Sequence, residues 1–336
     1  MRAAGDWAGR TVVVTGALGF IGSHYAERLA ALGARVVGLH RSARPAAGAE
    51  PAAPAAGRPC LVRADLCDEA ATRRAFQEWA PGADVVIHCA GLDGNAQYKR
   101  DHSASVLDAN VRGTAHVLNT ARDTGAGAVV LLSSTEVYCA PRDSPAREDE
   151  EIRRYVPHAG NGYVLSKIFC EIMAELHGAE FGSRIFRVRP GNVYGPRDGN
   201  GGTRTRVIPS MVARAAAGET IEIWGDGRQT RSFIHVEDLV NATLRMVEAD
   251  KYPVMNIGSP EEVSILDLAR TVVSAVGGEG GIRTYPDKPS GPPAQRLDLS
   301  RMRDVTGCEP RPLRVGIEQT IRWYRGHHRP SRAPHS

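Results

Sequence analysis

The sequence contains no closely spaced cysteines, no long apolar segment and no strong net charge of either sign. Its six cysteines include no Cys-x-x-Cys pair, so neither a zinc site nor a disulfide framework is predicted. No stretch approaches the roughly 18 uninterrupted apolar residues that a membrane helix needs. Gly5 and Asp6 stand where a signal peptide requires an apolar run. We therefore expect a cytoplasmic protein without a metal site or a membrane partner.

Lysine is the scarcest charged residue, with four among 42 basic side chains that face 38 acidic ones. The net charge of +4 is small and the arginines are spread along the chain, so no nucleic-acid partner is expected. Hydrophobic residues make up 42% of the 336 positions and charged residues 24%, as in ordinary globular proteins. A chain of this length and composition is expected to form about two domains.

Residues 1–190 alternate short β-branched runs with longer amphipathic stretches, in the order typical of βαβ units. The runs are largely apolar, as expected for parallel strands that helices cover on both faces. The predicted fold class is therefore α/β, with a Rossmann-type doubly wound parallel sheet. The predicted strands are 11–15, 35–39, 60–63, 85–89, 128–133 and 183–188.

Beyond Pro190, glycine and proline become denser and the regular alternation ends. We interpret residues 1–190 as a dinucleotide-binding domain and residues 191–325 as a smaller C-terminal α/β substrate domain, some segments of which return to the first. Residues 326–336 are interpreted as a disordered tail. Residues 41–59, rich in Ala, Pro and Gly, predict a long mobile surface connection.

Three glycines follow the first predicted strand at a spacing typical of a phosphate-binding turn. Gly16, Gly19 and Gly22 lead into an amphipathic helix that begins with Phe20 and Ile21. The free N–H groups at the start of such a helix, together with the positive end of its dipole, bind a pyrophosphate. The pattern therefore predicts a dinucleotide ligand.

The residues after the second strand indicate which dinucleotide binds. An acidic residue at this place favours the free ribose hydroxyl of NAD, but the chain has His40, Arg41 and Ser42. Arg41 can pair with a 2′-phosphate and Ser42 can hydrogen-bond it, so we expect NADP, with NAD as the alternative. Asp65 and Leu66, after the third strand, are expected to meet the adenine edge.

A phenol and an ammonium group stand four residues apart in Tyr163 and Lys167, and therefore on one face of a helix. The nearby cation is expected to lower the pKa of the phenol, so that the phenolate acts as a base at neutral pH. Ser133, Ser134 and Glu136 follow the fifth strand, whose carboxyl end faces the ligand crevice of a parallel sheet. We expect these groups to form a catalytic site.

Further motifs accompany the glycine turn and the tyrosine–lysine pair, at 85–91, 110–114, 191–196 and 224–236. With them the chain, from about residue 11 to about residue 324, resembles the extended short-chain dehydrogenase/reductases of the nucleotide-sugar epimerase/dehydratase family. Other stretches are similar to GDP-mannose 3,5-epimerase and GDP-fucose synthase. The resemblance implies a nicotinamide cofactor, a nucleotide diphosphate sugar as substrate, with a GDP-sugar favoured, and a homodimer.

The resemblance also implies roles for individual residues. Tyr163 would take a proton from a sugar hydroxyl while the nicotinamide takes the hydride, Ser134 would hydrogen-bond the same oxygen, and Lys167 would hold the ribose. The additional cofactor-binding residues that it implies are Cys89, Ala90, Gly91, Asn110, Ser133 and Pro190. The substrate-binding residues that it implies are Asn192, Arg197, Arg206, Val207, Ile223, Arg231 and Arg296.

The reaction depends on which acids and bases surround the keto sugar, because a 4-keto group acidifies the protons on C3 and C5. Glu136 is the candidate base. In similar 4,6-dehydratases, the acid that protonates the leaving hydroxyl stands where this chain has Thr135. The cysteine base of GDP-mannose 3,5-epimerase falls at Glu136, and its lysine acid falls near Arg206. The histidine of GDP-fucose synthase falls at Arg197, which is a poor proton donor.

A 4-epimerase needs only Ser134, Tyr163 and Lys167, with a keto sugar that turns over before the hydride returns. We therefore predict a nucleotide-sugar epimerase that acts through a transient 4-keto-sugar with a tightly bound nicotinamide cofactor. The alternatives are a 4,6-dehydratase or decarboxylase with Glu136 as base, and an NADPH-dependent keto-sugar reductase. Outside this class, the alternative is a non-catalytic sensor of a dinucleotide.

Overall fold

The structure, a computed structural model, describes residues 7–42, 57–199, 206–277, 280–288, 295–307 and 309–327. The strands in these ranges are β1 Thr11–Thr15, β2 Arg35–His40, β3 Cys60–Arg63, β4 Val85–His88, β5 Val129–Leu132, β6 Ile185–Pro190, β7 Asn192–Tyr194, β8 Ile221–Trp224, β9 Thr230–His235, β10 Val254–Ile257, β11 Glu262–Ser264 and β12 Ile282–Tyr285. The α-helices in them are α1 Phe20–Ala31, α2 Glu69–Trp79, α3 Ala96–Asp101, α4 Ser103–Asp123, α5 Gly162–Phe181, α6 Val207–Ala216, α7 Val236–Ala249, α8 Ile265–Val276, α9 Ser300–Thr306 and α10 Leu313–His327. None of the helices in the described ranges is long and apolar enough to span a bilayer.

Seven strands form one parallel sheet in the order β10-β6-β5-β4-β1-β2-β3. Every residue of β4 and β5 is buried, because helices cover both faces of the sheet. The strand order reverses between β1 and β4. In sheets of this kind, the ligand binds in the crevice at the point of reversal, beyond the carboxyl ends of the strands. This architecture confirms the predicted α/β class and Rossmann-type sheet.

Two apolar layers attach helices to the faces of the large sheet. On one face, Tyr25 and Leu29 of α1 and Leu239 of α7 pack against the strands. On the other face, Phe76 of α2 and Leu118 of α4 do the same. Full burial of each such side chain stabilises the fold by about 1.5–3 kcal/mol. The helices therefore close the two faces of the sheet and leave its carboxyl edge for the ligand.

The predicted strand boundaries agree closely with the observed ones in the first half of the chain. The predicted strands 11–15 and 60–63 coincide with β1 and β3, and β2 extends one residue further, to His40. Most of the predicted mobile connection, 41–59, and most of the predicted tail, 326–336, lie outside the described residues. Helix α10 includes the first two residues of that predicted tail, so the helix ends later than expected.

Beyond β6 the chain builds a smaller unit of strands and helices. Strands β11, β9 and β7 form a three-stranded sheet, and β12 pairs in parallel with β8. The core of this unit includes Met211 of α6, Leu268 of α8 and Ile317 of α10. Strand β10, however, returns to the large sheet, where it pairs with β6. The residues after Pro190 therefore contribute to both parts of the molecule.

Candidate active site

A cleft of about 580 Å³ opens at the carboxyl ends of the large sheet and is lined by residues of both parts of the chain. The predicted cofactor residues that line it are Gly16, Gly19, Phe20, Ile21, Gly22, His40, Arg41, Asp65, Leu66, Cys89, Ala90, Gly91, Asn110, Ser133 and Pro190. The predicted catalytic and substrate residues that line it are Ser134, Glu136, Tyr163, Lys167, Asn192, Arg206 and Val207. The predicted residues outside its lining are Ser42, Arg197, Ile223, Arg231 and Arg296.

In the glycine turn between β1 and α1, a side chain at a glycine position would collide with the neighbouring backbone. Gly16 has a φ of +69°, and a Cβ there would lie 3.0 Å from the Ala90 backbone. A Cβ on Gly22 would lie 2.2 Å from the Gly16 carbonyl oxygen. No side chain caps the start of α1, so the first N–H groups of this helix are available to a phosphate. The turn therefore fits the pyrophosphate of a nicotinamide dinucleotide.

The end of β2 differs from the expectation in one residue. Arg41 is exposed and lines the cleft, whereas Ser42 is exposed and is not part of the lining. His40 is buried, and burial lowers its pKa. In the loop after the neighbouring strand β3, the Asp65 carboxylate accepts the N–H of Cys67 at 3.0 Å. Among the described residues at the end of β2, Arg41 is the cation that lines the cleft.

The tyrosine and lysine of the predicted pair lie in the first turns of α5, side by side with the end of β5. The Asn161 side chain caps this helix by accepting the N–H of Val164 at 3.1 Å. The buried Tyr163 side chain hydrogen-bonds the Ser134 hydroxyl. One turn later, the Lys167 ammonium donates to the Leu132 carbonyl oxygen at 2.7 Å. The structure thus brings Ser134, Tyr163 and Lys167 together.

The expected lowering of the Tyr163 pKa is wrong for this structure. Burial raises the pKa of the phenol well above its ordinary value, and the negative charges of Asp93 and Glu136 raise it further. The pKa of Lys167 is itself lowered by burial, so its ammonium does not outweigh these effects. Tyr163 is therefore a neutral phenol at physiological pH, a state that suits it to donate a proton.

The carboxylate of Glu136 is not free. It accepts a hydrogen bond from the Lys99 ammonium at 2.5 Å, and the same ammonium lies 3.1 Å from the Asp93 carboxylate. The Lys99 ammonium also lies 3.8 Å from the centre of the Tyr163 ring. Glu136 therefore meets the reaction centre as part of an ion pair rather than as an isolated base.

Two more charged side chains extend this ion pair across the cleft. The Arg206 guanidinium lies 3.8 Å from the Asp93 carboxylate and 3.7 Å from the Asp198 carboxylate. Asp198 is 5% exposed, and its second oxygen has no hydrogen-bond partner among the residues that the structure describes. Burial raises the pKa of this carboxyl group to about 6, and Arg206 opposes the increase. We call Asp93, Lys99, Glu136, Asp198 and Arg206 the charged cluster.

Sequence reasoning missed three members of the charged cluster. Asp93 and Lys99 follow β4, and their signal was an acidic and a basic side chain just beyond the carboxyl end of a central strand. Asp198 follows the Gly195-Pro196-Arg197 turn. A single polar residue in this glycine-rich stretch did not by itself indicate a functional residue.

The remaining predicted substrate residues are engaged elsewhere. Arg197 has a left-handed backbone, with a φ of +69°, and its guanidinium pairs with Glu27 of α1 at 2.5 Å. Ile223 lies in the core of the smaller unit. The Arg231 guanidinium donates to the carbonyl oxygen of the preceding residue at 2.7 Å, and the Arg296 guanidinium donates to the Glu262 carboxylate at 2.9 Å. The structure therefore does not bring these four residues into the cleft.

A buried ion pair supports the strand ends behind the site. The Arg189 guanidinium donates to both carboxylate oxygens of Glu171, at 2.9 and 2.6 Å, and neither residue is more than 2% exposed. The Ser133 hydroxyl donates to the same carboxylate at 2.5 Å, and Arg189 also donates to the Tyr138 hydroxyl at 2.6 Å. The pair therefore fixes the backbone from which Ser134 reaches the cleft.

Comparison with known proteins matches this chain to one family model. Residues 12–258 match the NAD dependent epimerase/dehydratase family. The chain belongs to this family. Membership in the epimerase/dehydratase family confirms the resemblance inferred from the motifs, and the chain is an NAD(P)-dependent enzyme of this family. The homodimer and the cytoplasmic location remain predictions.

Members of the epimerase/dehydratase family match the chain over nearly its whole length. It is 55% identical over 326 residues to dTDP-4-dehydro-6-deoxy-D-allose reductase of Streptomyces bikiniensis, an alignment that covers 97% of this chain and 99% of the relative. It is 32% identical to UDP-glucose 4-epimerase of Mycolicibacterium smegmatis, over 93% of this chain and 98% of that protein. The structure of Thermus thermophilus UDP-glucose 4-epimerase with NAD is similar with a TM-score of 0.81 at 25% identity, over 95% of this chain and 100% of that chain.

The substitution Asp198→Asn is expected to raise the free energy of unfolding at neutral pH. Because the pKa of Asp198 is raised to about 6, the carboxyl group ionises more readily in the unfolded chain. The free energy of unfolding of the wild type therefore falls between about pH 4 and about pH 6 and stays lower above that range. The asparagine variant avoids this loss, which amounts to about 3 kcal/mol.

Urea unfolding at about pH 4 and about pH 8 checks this prediction. The advantage of the Asp198→Asn variant over the wild type should be small at the lower pH and large at the higher one. An advantage that does not grow with pH would contradict the raised pKa.

Proposed function

We propose that the protein reduces the carbonyl group of a dTDP-4-dehydro-6-deoxy sugar with NADPH. The observation that carries this proposal is the 55% identity, over 97% of the chain, to a reductase of dTDP-4-dehydro-6-deoxy-D-allose. The epimerase predicted from the sequence has weaker support, since the epimerase relative is 32% identical. The reductase alternative is therefore favoured.

The nucleotide of the proposed substrate also differs from the sequence-based expectation. A GDP-sugar is not supported, because the two relatives compared above are named for dTDP and UDP sugars. The more similar of these two is named for a dTDP sugar. We therefore propose a dTDP-sugar as substrate.

The site contains the proton donor that a reduction needs. The reduced nicotinamide, when bound, supplies a hydride to the carbonyl carbon, and the carbonyl oxygen then needs a proton. Tyr163 suits this task, because its phenol is neutral and hydrogen-bonded to Ser134, whose hydroxyl can also bind the carbonyl oxygen. The phenolate that remains is stabilised by Lys99 and Lys167, whose ammonium groups lie 3.8 and 5.7 Å from the ring centre.

The state of Glu136 favours reduction over the two reactions that need a carbon base. A dehydratase or a 3,5-epimerase must remove a proton from C5 or C3 of the keto sugar. The Glu136 carboxylate already accepts a hydrogen bond from Lys99 at 2.5 Å, so one of its oxygens is occupied. We therefore assign Glu136 to the binding and orientation of the sugar.

Isotope labelling of the cofactor tests the proposed function. The purified protein is incubated with 4-deuterated NADPH and a panel of dTDP-, UDP- and GDP-linked 4-keto-6-deoxy sugars and 4-hydroxy sugars. A reductase consumes one cofactor per product and leaves deuterium on C4 of a dTDP-linked alcohol. A product isomeric with its substrate, formed without net cofactor oxidation, would establish an epimerase instead, and loss of water would establish a dehydratase.

Arg41→Ala is expected to raise the KM for NADPH about 10-fold and to leave the KM for NADH nearly unchanged. The exposed Arg41 guanidinium is the cation at the end of β2 that lines the cleft, and a hydrogen bond between charged groups contributes about 1.5–3 kcal/mol. Steady-state kinetics with both cofactors measure the effect. Arg245→Ala, which removes an exposed arginine paired with Glu248 at 3.1 Å, is the control. Equal changes for both cofactors would contradict a 2′-phosphate contact.

A further inference from the structure

The charged cluster joins three distant parts of the chain beside the reaction centre. Asp93 and Lys99 follow β4, Glu136 follows β5, and Asp198 and Arg206 follow β7. All five residues line the cleft. The proposed reduction already uses Lys99 and Glu136, whereas Asp93, Asp198 and Arg206 have no role in it so far.

One buried carboxylate oxygen of the charged cluster has no donor among the described residues. Lys99 contacts two carboxylates, at 2.5 and 3.1 Å, and Arg206 contacts two at 3.8 and 3.7 Å. Within the described ranges, the second oxygen of Asp198 has no hydrogen-bond partner; this atom is buried, and the residue lines the cleft. A buried acceptor that lacks a donor costs free energy, and a hydroxyl group of a ligand would recover it.

The charges of the cluster indicate which part of a substrate meets it. Three carboxylates face two cations, so the cluster does not attract a diphosphate. A methyl group would displace water from these charged side chains without forming a hydrogen bond to them, which costs free energy. A neutral sugar hydroxyl provides both a donor and an acceptor, and therefore fits the free oxygen of Asp198.

The position of Tyr163 identifies the hydroxyl. In the proposed reduction, the carbonyl oxygen at C4 lies against the phenol of Tyr163, and the Lys99 ammonium lies 3.8 Å from the centre of that ring. On one side of C4 a 6-deoxy sugar carries the hydroxyl of C3, and on the other side it carries C5 with its methyl group. Because a methyl group does not suit these charged side chains, we place the C3 side of the sugar against the charged cluster.

We propose that Asp198 accepts a hydrogen bond from the C3 hydroxyl of the substrate, and that the charged cluster thereby selects the configuration at C3. Lys99 and Arg206 hold Asp93, Glu136 and Asp198 in one arrangement, so a hydroxyl of the opposite configuration would leave the Asp198 oxygen without a donor. Asp198 is a specificity-determining residue in this proposal, which rests on the proposed function for the location of C4.

Binding of two product epimers tests the proposal without turnover. Calorimetry with NADP⁺ present compares dTDP-6-deoxy-D-allose with dTDP-6-deoxy-D-glucose, which differ only at C3. The wild type should bind one epimer about 10-fold or more tightly than the other, and Asp198→Asn should reduce that ratio about 10-fold, the loss expected for one hydrogen bond to a charged group. Asp304→Asn, which changes an exposed aspartate paired with Lys251 at 2.6 Å, should keep the wild-type ratio.

Each other outcome has a definite meaning. Equal binding of both epimers by the wild type, or an unchanged ratio in Asp198→Asn, overturns the proposal. An equal loss of affinity for both epimers also overturns it, because it indicates a general effect on the cleft. If Asp198→Asn reduces the discrimination between the epimers but the wild type reduces no keto sugar, the proposed function fails while C3 recognition by Asp198 stands.

Discussion

Tyr163→Phe is expected to lower kcat for the reduction about 10³-fold. The variant keeps the buried ring and loses the hydroxyl that bonds Ser134 and donates the proton. Proton transfer from a positioned side chain contributes about 10²–10⁴-fold to enzymatic rates. The measurement is the rate of NADPH oxidation at saturating keto sugar, with NADPH affinity determined separately by fluorescence.

Two comparisons make the Tyr163 result specific. NADPH affinity should stay within about threefold of the wild type, because the ring and Lys167 remain in place. Tyr252→Phe, which removes an exposed hydroxyl that donates to Asp304 at 2.8 Å, should keep full activity. A fall in kcat of less than about 10-fold in Tyr163→Phe would exclude Tyr163 as the proton donor.

Arg189→Met is expected to lower the free energy of unfolding by about 3–5 kcal/mol, because it leaves a buried charge without its partner. Glu171 is 0% exposed, and the only donor to its carboxylate that would remain in the hydrogen bonds described above is the Ser133 hydroxyl at 2.5 Å. Urea unfolding of the variant and the wild type at neutral pH measures the difference. The loss is a large share of the 5–15 kcal/mol that typical domains have.

A double variant separates the buried charge from the lost packing. Arg189→Met combined with Glu171→Leu should recover much of the stability, because replacement of a buried ion pair by apolar groups is often neutral or better. Arg73→Met, which breaks more exposed pairs with Glu69 and Asp123, should change stability by less than about 1 kcal/mol. If the single and double Arg189 variants are equally unstable, lost packing rather than an unpaired charge is the cause.

Short-range spacing was sufficient to predict the parts of the site that lie within one turn or one helix. The glycine turn is specified by Gly16 and Gly19 between β1 and α1 and by Gly22 in the first turn of α1, and both the strand and the helix form where their patterns indicate. Tyr163 and Lys167 lie on one face of α5 because helical geometry places residues four apart together. The parallel sheet also follows from local patterns, since its buried strands are largely apolar.

The charged cluster could not be predicted in this way, because the fold and not the spacing brings its members together. Lys99 and Glu136 are 37 residues apart and meet only because β4 and β5 are neighbours in the sheet. The pKa of Tyr163 was wrong for a related reason: the spacing shows Lys167, but burial and the carboxylates of Asp93 and Glu136 come from the fold. Arg197 was misplaced because its left-handed backbone turns the guanidinium toward Glu27.

The return of β10 to the large sheet limits how enzymes of this architecture can be recombined. Because β10 is the outermost strand beside β6, a fragment that ends at Pro190 would expose the edge of β6. Unpaired N–H and C=O groups along such an edge promote aggregation. A chimera that takes its sugar specificity from another enzyme therefore needs two junctions, one before and one after the transplanted segment, with β10 kept from the parent of the sheet. New specificities in this architecture are more accessible by grafting loops such as those that carry Asp93 and Asp198 than by exchanging whole domains.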